Sequence, residues 1–339
     1  FRSNLLPNFQ VSSDTSRTFE QLEMGGKSLY WLDLEMLSHQ VDCKDLESKL
    51  NQVLSSVKCV VKDWRRMQDA LRMVMYAWQD QSTELVSDAI VQENLLLMEW
   101  MLHHFTFLGY AGYKISAKTI RKLGKSWGMS VPKVGPKGPY LGTMPSHGEQ
   151  TRLSLFTMTK ATEFVQVHRY ITPEILILNI YDTHGEVIEQ HHFMGMFTSD
   201  AYAQDVEKIP LISHKVQRLV AMHKLRSRYM IRKLKHLIKS YPLEELMQAD
   251  IHHLSQNFDR ILRSDEREIA EVDVRQDISE SFYSIMVYAP KDVFKTALRQ
   301  QIQDCLVSSC QGTLLHYSPY FTDSSLVRMQ LCDISRSAD

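Results

Sequence analysis

The sequence predicts an α+β chain in which antiparallel sheet modules are joined by helical hairpins. Three observations carry this. Apolar residues step by three and four from Leu50 to Trp78, the spacing of one face of a long helix. From Phe105 the apolar period falls to two, as in strands with one buried face. The last stretch, from about Glu268, alternates strand, strand, helix, strand, strand with short polar turns between.

Taken in order, residues 1–40 begin with a polar, Ser/Thr-rich run (Val11 to Thr18). A Gly25-Gly26 turn follows, and then the strand-like Ser28 to Leu37. This strand reads as the last of an upstream ACT-like module whose other strands precede Phe1. Because the chain opens on Phe1 and not on Met, it is expected to be a piece of something longer.

Residues 41–104 read as a helical hairpin. Its first helix carries Leu50, Val53, Val57, Val60, Trp64, Met67, Leu71, Val74 and Trp78 in one seam, with Asp42 or Asp45 at its start. Asp80-Gln-Ser-Thr ends it, Thr83 caps the next helix, and that helix runs from about Glu84 to His104. The short connection favours a hairpin folded on itself over a dimerising coiled coil. Trp64 is placed in the buried seam, where truncation to Ala is expected to cost about 3–5 kcal/mol.

Residues 105–205 read as a PAS-like α+β module of about five strands. Its clearest hairpin joins Glu174–Asp182 to Val187–Phe197 across Thr183-His-Gly. Further strands are expected at Phe105–Ile115, Leu153–Thr159 and Val165–Tyr170, and a short helix near Ala117–Leu123. The glycines and prolines of 124–148 predict a long loop or lid. Residues 206–262 read as a helical linker, in which one helix pairs an apolar stripe (Val216 to Ile238) with a basic face from Lys215 to Lys239. Residues 263–339 then give β-β-α-β-β with the helix at Lys291–Ser308, the layout of an ACT-like module.

Composition narrows the function classes. With 339 residues and 39.4 kDa, two to three domains of roughly 150 residues are expected. Hydrophobic residues at 44% and charged ones at 23% exclude a disordered or fibrous chain. Thirty-nine basic against forty acidic side chains lack the excess of a nucleic-acid-coating protein. An acidic stretch after Glu244 is expected to pair with the basic helix face. No apolar run approaches the length of a membrane span. Five scattered cysteines without a C-x-x-C pair point to a reducing, cytoplasmic setting.

Catalytic signatures are missing. Neither G-x-G-x-x-G nor a Walker loop occurs, and Gly135-Pro-Lys-Gly138 has proline where a backbone amide should meet an anion. The histidine doublets at 103–104, 191–192 and 252–253 cannot chelate alone, since neighbours diverge on helix and strand alike. They read as half-buried structural residues. No catalytic, cofactor-binding or metal-binding residue is assigned, and the effector-binding residues are unknown.

Five strings in one order carry a family resemblance. They are His104-Phe-Thr-Phe-Leu-Gly-Tyr, Phe193-Met-Gly-Met-Phe-Thr-Ser-Asp-Ala-Tyr, Ile209-Pro-Leu-Ile-Ser-His-Lys-Val, Ser240-Tyr-Pro-Leu-Glu-Glu-Leu and Val287-Tyr-Ala-Pro-Lys-Asp-Val-Phe. Together they resemble the N-terminal regulatory region of the large bacterial NAD-specific glutamate dehydrogenases. The resemblance implies ACT-like and PAS-like modules ahead of a downstream core that converts L-glutamate, NAD and water to 2-oxoglutarate, ammonia and NADH. It implies NAD for the full-length enzyme and no cofactor in this segment. The implied partners are the protein's own catalytic domain, other subunits of a homo-oligomer and an amino-acid effector, with no nucleic acid and no membrane. Ligand-binding ACT domains commonly place glycine in the turn after the first strand. The turn here is Ala289-Pro-Lys-Asp, which favours assembly over effector binding. The alternative is a free-standing amino-acid-sensing ACT/PAS signalling protein.

Overall fold

A computed structural model describes residues 9–11, 21–24, 27–30, 34–36, 43–80, 86–116, 119–132, 134, 153–223, 227–310, 312–321 and 325–336. Near the start lie four short strands, β1 (Phe9–Val11), β2 (Gln21–Met24), β3 (Lys27–Tyr30) and β4 (Leu34–Met36). The single strand expected over Ser28–Leu37 is divided between β3 and β4. β3 pairs with β2 and β4 with β1, so strands within this chain supply partners that were expected upstream.

Helix α1 (Cys43–Asp80) follows, then α2 (Asp88–His104). Asp45 lies inside the first turn of α1 and pairs with Lys49, while Asp42 and Thr83 lie outside the described residues. Ser87 stands at the N-cap of α2, so that helix starts later than Glu84.

The inward stripe of α1 departs from the expected seam at one turn. Val60, Met67, Leu71, Val74 and Trp78 are buried, but Trp64 is 44% exposed and Asp63 takes the inward place. Asp63 turns in because Oδ2 accepts from the Gly128 amide at 3.3 Å while Oδ1 accepts from Arg66. The stripe faces a sheet more than it faces α2, which corrects the picture of a hairpin packed on itself.

That sheet holds β5 (Phe105–Ser116), β6 (Thr119–Lys122), β7 (Trp127–Gly128), β8 (Phe156–Lys160), β9 (Glu174–Tyr181) and β10 (Val187–Phe197). Its order is β6-β5-β10-β9-β8, with β7 beside β5, and every pairing is antiparallel. Thr119–Lys122 is therefore a strand and not the short helix expected there, its β-branched pair fitting a hairpin with β5. Val165–Tyr170 makes only one bridge, Val165 to Ile171, because His168 sits at φ 68° and turns the chain back. In the expected β9–β10 hairpin, Asp182 Oδ1 accepts from the amides of His184 and Glu186. Of the Gly/Pro-rich stretch, residues 133 and 135–148 lie outside the described residues, so the lid expectation falls largely there.

Among the described residues, five helices and one 3₁₀ turn follow β10 and make up the link to the last sheet. α3 (Ser199–Ala203) is capped by Thr198, and a 3₁₀ turn covers Val206–Lys208. The one basic helix that was expected is divided into α4 (Ile212–Met222) and α5 (Arg228–Lys239), the latter capped by Ser227. α6 (Leu243–Gln248) and α7 (Ile251–Arg267) complete it, with Asp250 capping α7 through the amides of His252 and His253.

Strands β11 (Glu271–Gln276) and β12 (Tyr283–Pro290), helix α8 (Thr296–Cys310), and strands β13 (Gly312–Phe321) and β14 (Leu326–Arg336) end the chain. Their sheet runs β11-β12-β14-β13, all antiparallel. The period of two divides β12 and β14 between two cores. Ile285, Val287, Met329 and Leu331 form a cluster with Phe294, Ile302 and Leu306 on the α8 side. Met286, Tyr288 and Leu326 join the large core of the six-stranded sheet and the linker helices. Leaving the edge strands aside, residues 284–289 of β12 and 326–331 of β14 are thereby buried on both faces. No helix among the described residues is long and apolar enough to cross a membrane.

Candidate functional site

A cleft of about 520 Å³ opens where the six-stranded sheet, α3, the turn between α5 and α6, and the last sheet meet. Its floor includes Lys160 from β8, Glu174 from β9 and Phe197 from β10; Tyr202, Tyr241 and Glu244 come from the linker, and Tyr320, Arg328 and Gln330 from the last sheet.

Arg328 is the unusual member. It is 3% exposed, on the face of β14 that turns toward the linker. Nη1 donates to the Ser240 carbonyl at 2.5 Å, while Nε and Nη2 have no hydrogen-bond partner among the described residues. The cross-strand neighbours of Arg328 are Tyr288 and Tyr320. Its guanidinium lies 4.6 Å from the Tyr320 ring centroid and 5.8 Å from that of Tyr241. Burial pulls its pKa below the usual arginine range. Tyr241 in turn accepts from Asn257 Nδ2 at 2.9 Å, and burial raises its hydroxyl pKa well above the usual value.

Beside the cleft runs a buried ionic spine. Arg275 grips Glu245 in a fork, Nε to Oε2 at 2.9 Å and Nη2 to Oε1 at 3.0 Å. Ser284 Oγ donates to the same carboxylate at 2.5 Å. Arg275 also donates to Gln248, Gln248 to Glu174, and Lys160 pairs with Glu174 at 2.9 Å. Burial alone would raise the Glu245 carboxyl; the Arg275 charge and hydrogen bonds, with Ser284, outweigh it and hold that carboxyl below its ordinary pKa. Residues of β8, β9, α6, β11 and β12 are thereby tied together. Tyr202 donates to Glu244 at the cleft rim.

Part of the basic face is engaged within the fold, and only in part by the acidic stretch after Glu244. Lys215 is turned inward, donating to the carbonyls of Leu246 at 2.7 Å and Ala249 at 2.9 Å, where α6 ends. Its packing lowers the ammonium pKa to about 8, against the opposing charge of Asp250. Lys233 pairs with Asp265, Lys235 with Glu207, and Lys239 with Asp205. Lys224 and Arg226 lie outside the described residues.

The histidine doublets are scattered. His191 and His192 are buried on β10, His103 and His252 are exposed, and His253 pairs with Asp273 at 2.9 Å. Among the described residues no group of three or more His, Cys, Asp or Glu is placed to hold a metal ion. The turn at Ala289–Asp292 is not part of the cleft lining. Sequence reasoning missed Arg328 altogether. In Leu326-Val-Arg-Met-Gln-Leu, alternation puts Arg328 and Gln330 on a polar face, which without a partner reads as solvent-facing.

Two family models match this part of the chain. Residues 209–267 match "Glutamate dehydrogenase, helical motif 1", and residues 271–335 match "Glutamate dehydrogenase, ACT2 domain". An NAD-specific glutamate dehydrogenase from Halomonas elongata is 26% identical over 322 residues, 90% of this chain and 20% of the relative. That from Pseudomonas aeruginosa is 27% identical over 320 residues, 91% of this chain and 20% of the relative. That from Mycobacterium tuberculosis is 26% identical over 292 residues, 85% of this chain and 17% of the relative. The chain thus spans about a fifth of the length of the curated relatives it matches. The family resemblance carried by the five strings is borne out.

Proposed function

We propose that this chain, a member of the NAD-specific glutamate dehydrogenase family, is a control and assembly segment of such an enzyme. The observation that carries the reading is the pair of family modules at 209–267 and 271–335, neither accompanied by a dinucleotide cradle in the sequence. The whole enzyme would transfer hydride from L-glutamate to NAD and release 2-oxoglutarate and ammonia after water attacks the imine. NAD and the reacting amino acid would be held by other parts of the longer protein.

Within this reading, residues 105–205 form a PAS-like sensor unit and 263–339 an ACT-like unit, with 206–262 as the helical link. A six-stranded antiparallel sheet with its first and last long strands side by side supports the first assignment. The ionic spine supports a role in transmitting strain between the two sheets, since its members come from both. Homo-oligomeric subunits, the catalytic part of the same protein and an amino-acid effector are the proposed partners, in the cytoplasm.

Steady-state assay tests the reading. Purified residues 1–339 should give no glutamate-dependent NADH, while disrupting the spine with Glu245→Ala in the longer protein should alter its turnover. Glutamate oxidation by the isolated segment, or unchanged turnover in the variant, would remove the basis for a control role.

A further inference from the structure

We propose that the cleft binds a small oxyanion that presents two adjacent oxygens, a carboxylate or a phosphate, on the Nε and Nη2 edge of Arg328. This gives a ligand class to the control reading and rests on that reading for its biological meaning, though not for its measurement.

A guanidinium this buried is costly unless its donors and its charge are met. Among the described residues nothing accepts from Nε or Nη2 of Arg328. The tyrosine rings on either side offset part of the cost through cation–π attraction but accept no hydrogen bond at that edge.

Arg275 shows the same edge when it is matched. Its Nε and Nη2 take the two oxygens of Glu245 at 2.9 and 3.0 Å. Arg328 presents the same two nitrogens with no carboxylate against them, and it lines a cavity large enough for a metabolite. The lining contains four cationic side chains, Lys160, Arg169, Lys239 and Arg328, against two carboxylates, Glu174 and Glu244. Lys160 is matched by Glu174 and Lys239 by Asp205, so the surplus charge that favours an anion is that of Arg169 and Arg328 against Glu244. Both nitrogens are shut off from solvent, so binding requires covering side chains, the half-exposed Tyr320 over the guanidinium face among them, to move aside.

Titration calorimetry at constant ionic strength tests this, with sodium succinate in one arm and sodium phosphate in the other. Saturable binding of one molecule per chain is expected in at least one arm, and the responding arm identifies the head group. Arg328→Lys keeps the charge but loses the planar fork, and should weaken that binding by about tenfold or more. Ile171→Trp, at a partly exposed wall position away from Arg328, should abolish it by filling the cleft and leave the circular dichroism unchanged. If Arg328→Lys does not fold, the Ile171→Trp result decides. No saturable heat in either arm, or parental affinity in the variants that fold, overturns the proposal. Glutamate turnover by the isolated chain would sink the control reading while leaving this binding intact.

Discussion

Two tryptophans on one helix show how much a single residue's environment decides. Trp78 is fully buried and its Nε1 donates to the Asn179 carbonyl at 2.8 Å. Trp78→Ala should cost about 3–5 kcal/mol in urea denaturation. Trp64, 44% exposed, should cost less than about 1 kcal/mol in the same measurement, contrary to its placement by periodicity. The buried histidines make a pH prediction. Burial, then the neighbouring His191, pulls His192 down to about 3, so it stays neutral in the folded chain. Below pH 6.5 the unfolded chain takes up a proton that the folded one refuses. Stability is therefore present above that pH and lost as pH falls, by up to about 1.4 kcal/mol per pH unit for this group. His192→Phe should flatten the slope of stability between pH 6.5 and 4; an unchanged slope would show that His192 is not the group responsible.

At the scale of elements, α1 approaches β7 so closely that glycine is required between them. Gly128 has φ 68°, and a Cβ there would sit 2.4 Å from the Leu108 carbonyl oxygen and 3.0 Å from Met67 Sδ. Cys59 Sγ and Asp63 also bond the Gly128 backbone. Gly128→Ala should therefore destabilise by about 1–3 kcal/mol, read as a drop in thermal midpoint with faster exchange of the β5 and β7 amides. A neutral effect would mean that β7 is free to move off α1. The same contact explains the altered seam. Asp63 is polar, so hydrophobic spacing passes over it and selects Trp64, yet the amide it accepts from belongs to a strand 65 residues later.

Across the molecule, the Glu245–Arg275 pair links the two large sheets through α6. Glu245→Ala would leave Arg275 buried without its fork partner, at an expected cost of about 3–5 kcal/mol. Denaturant unfolding followed by hydrogen exchange in both sheets checks this. Loss of protection in β8–β9 together with β11–β12 is expected, and loss confined to one sheet would show that the spine does not couple them. Glu244 and Glu245, adjacent in the first turn of α6, take different environments. One reaches the cleft rim and the other is buried in the spine, a division that depends on which face of the short α6 meets β11 and β12.

Local pattern was enough for the α+β class, the β9–β10 hairpin and the β-β-α-β-β order of the last module, because periods of two and three-to-four are set by backbone geometry within a few residues. The family was legible too, in five strings whose order is preserved along the chain. The strand at Thr119–Lys122, the break between α4 and α5, the inward turn of Asp63 and the burial of Arg328 were decided only in three dimensions. Asp63 and Arg328 depend on partners far away in sequence, and an amphipathic or charged residue takes its meaning from what is packed against it. Alternation could put Arg328 on a face of β14; only the Ser240 carbonyl and the Tyr241 and Tyr320 rings brought over that face make it a buried, half-satisfied cation.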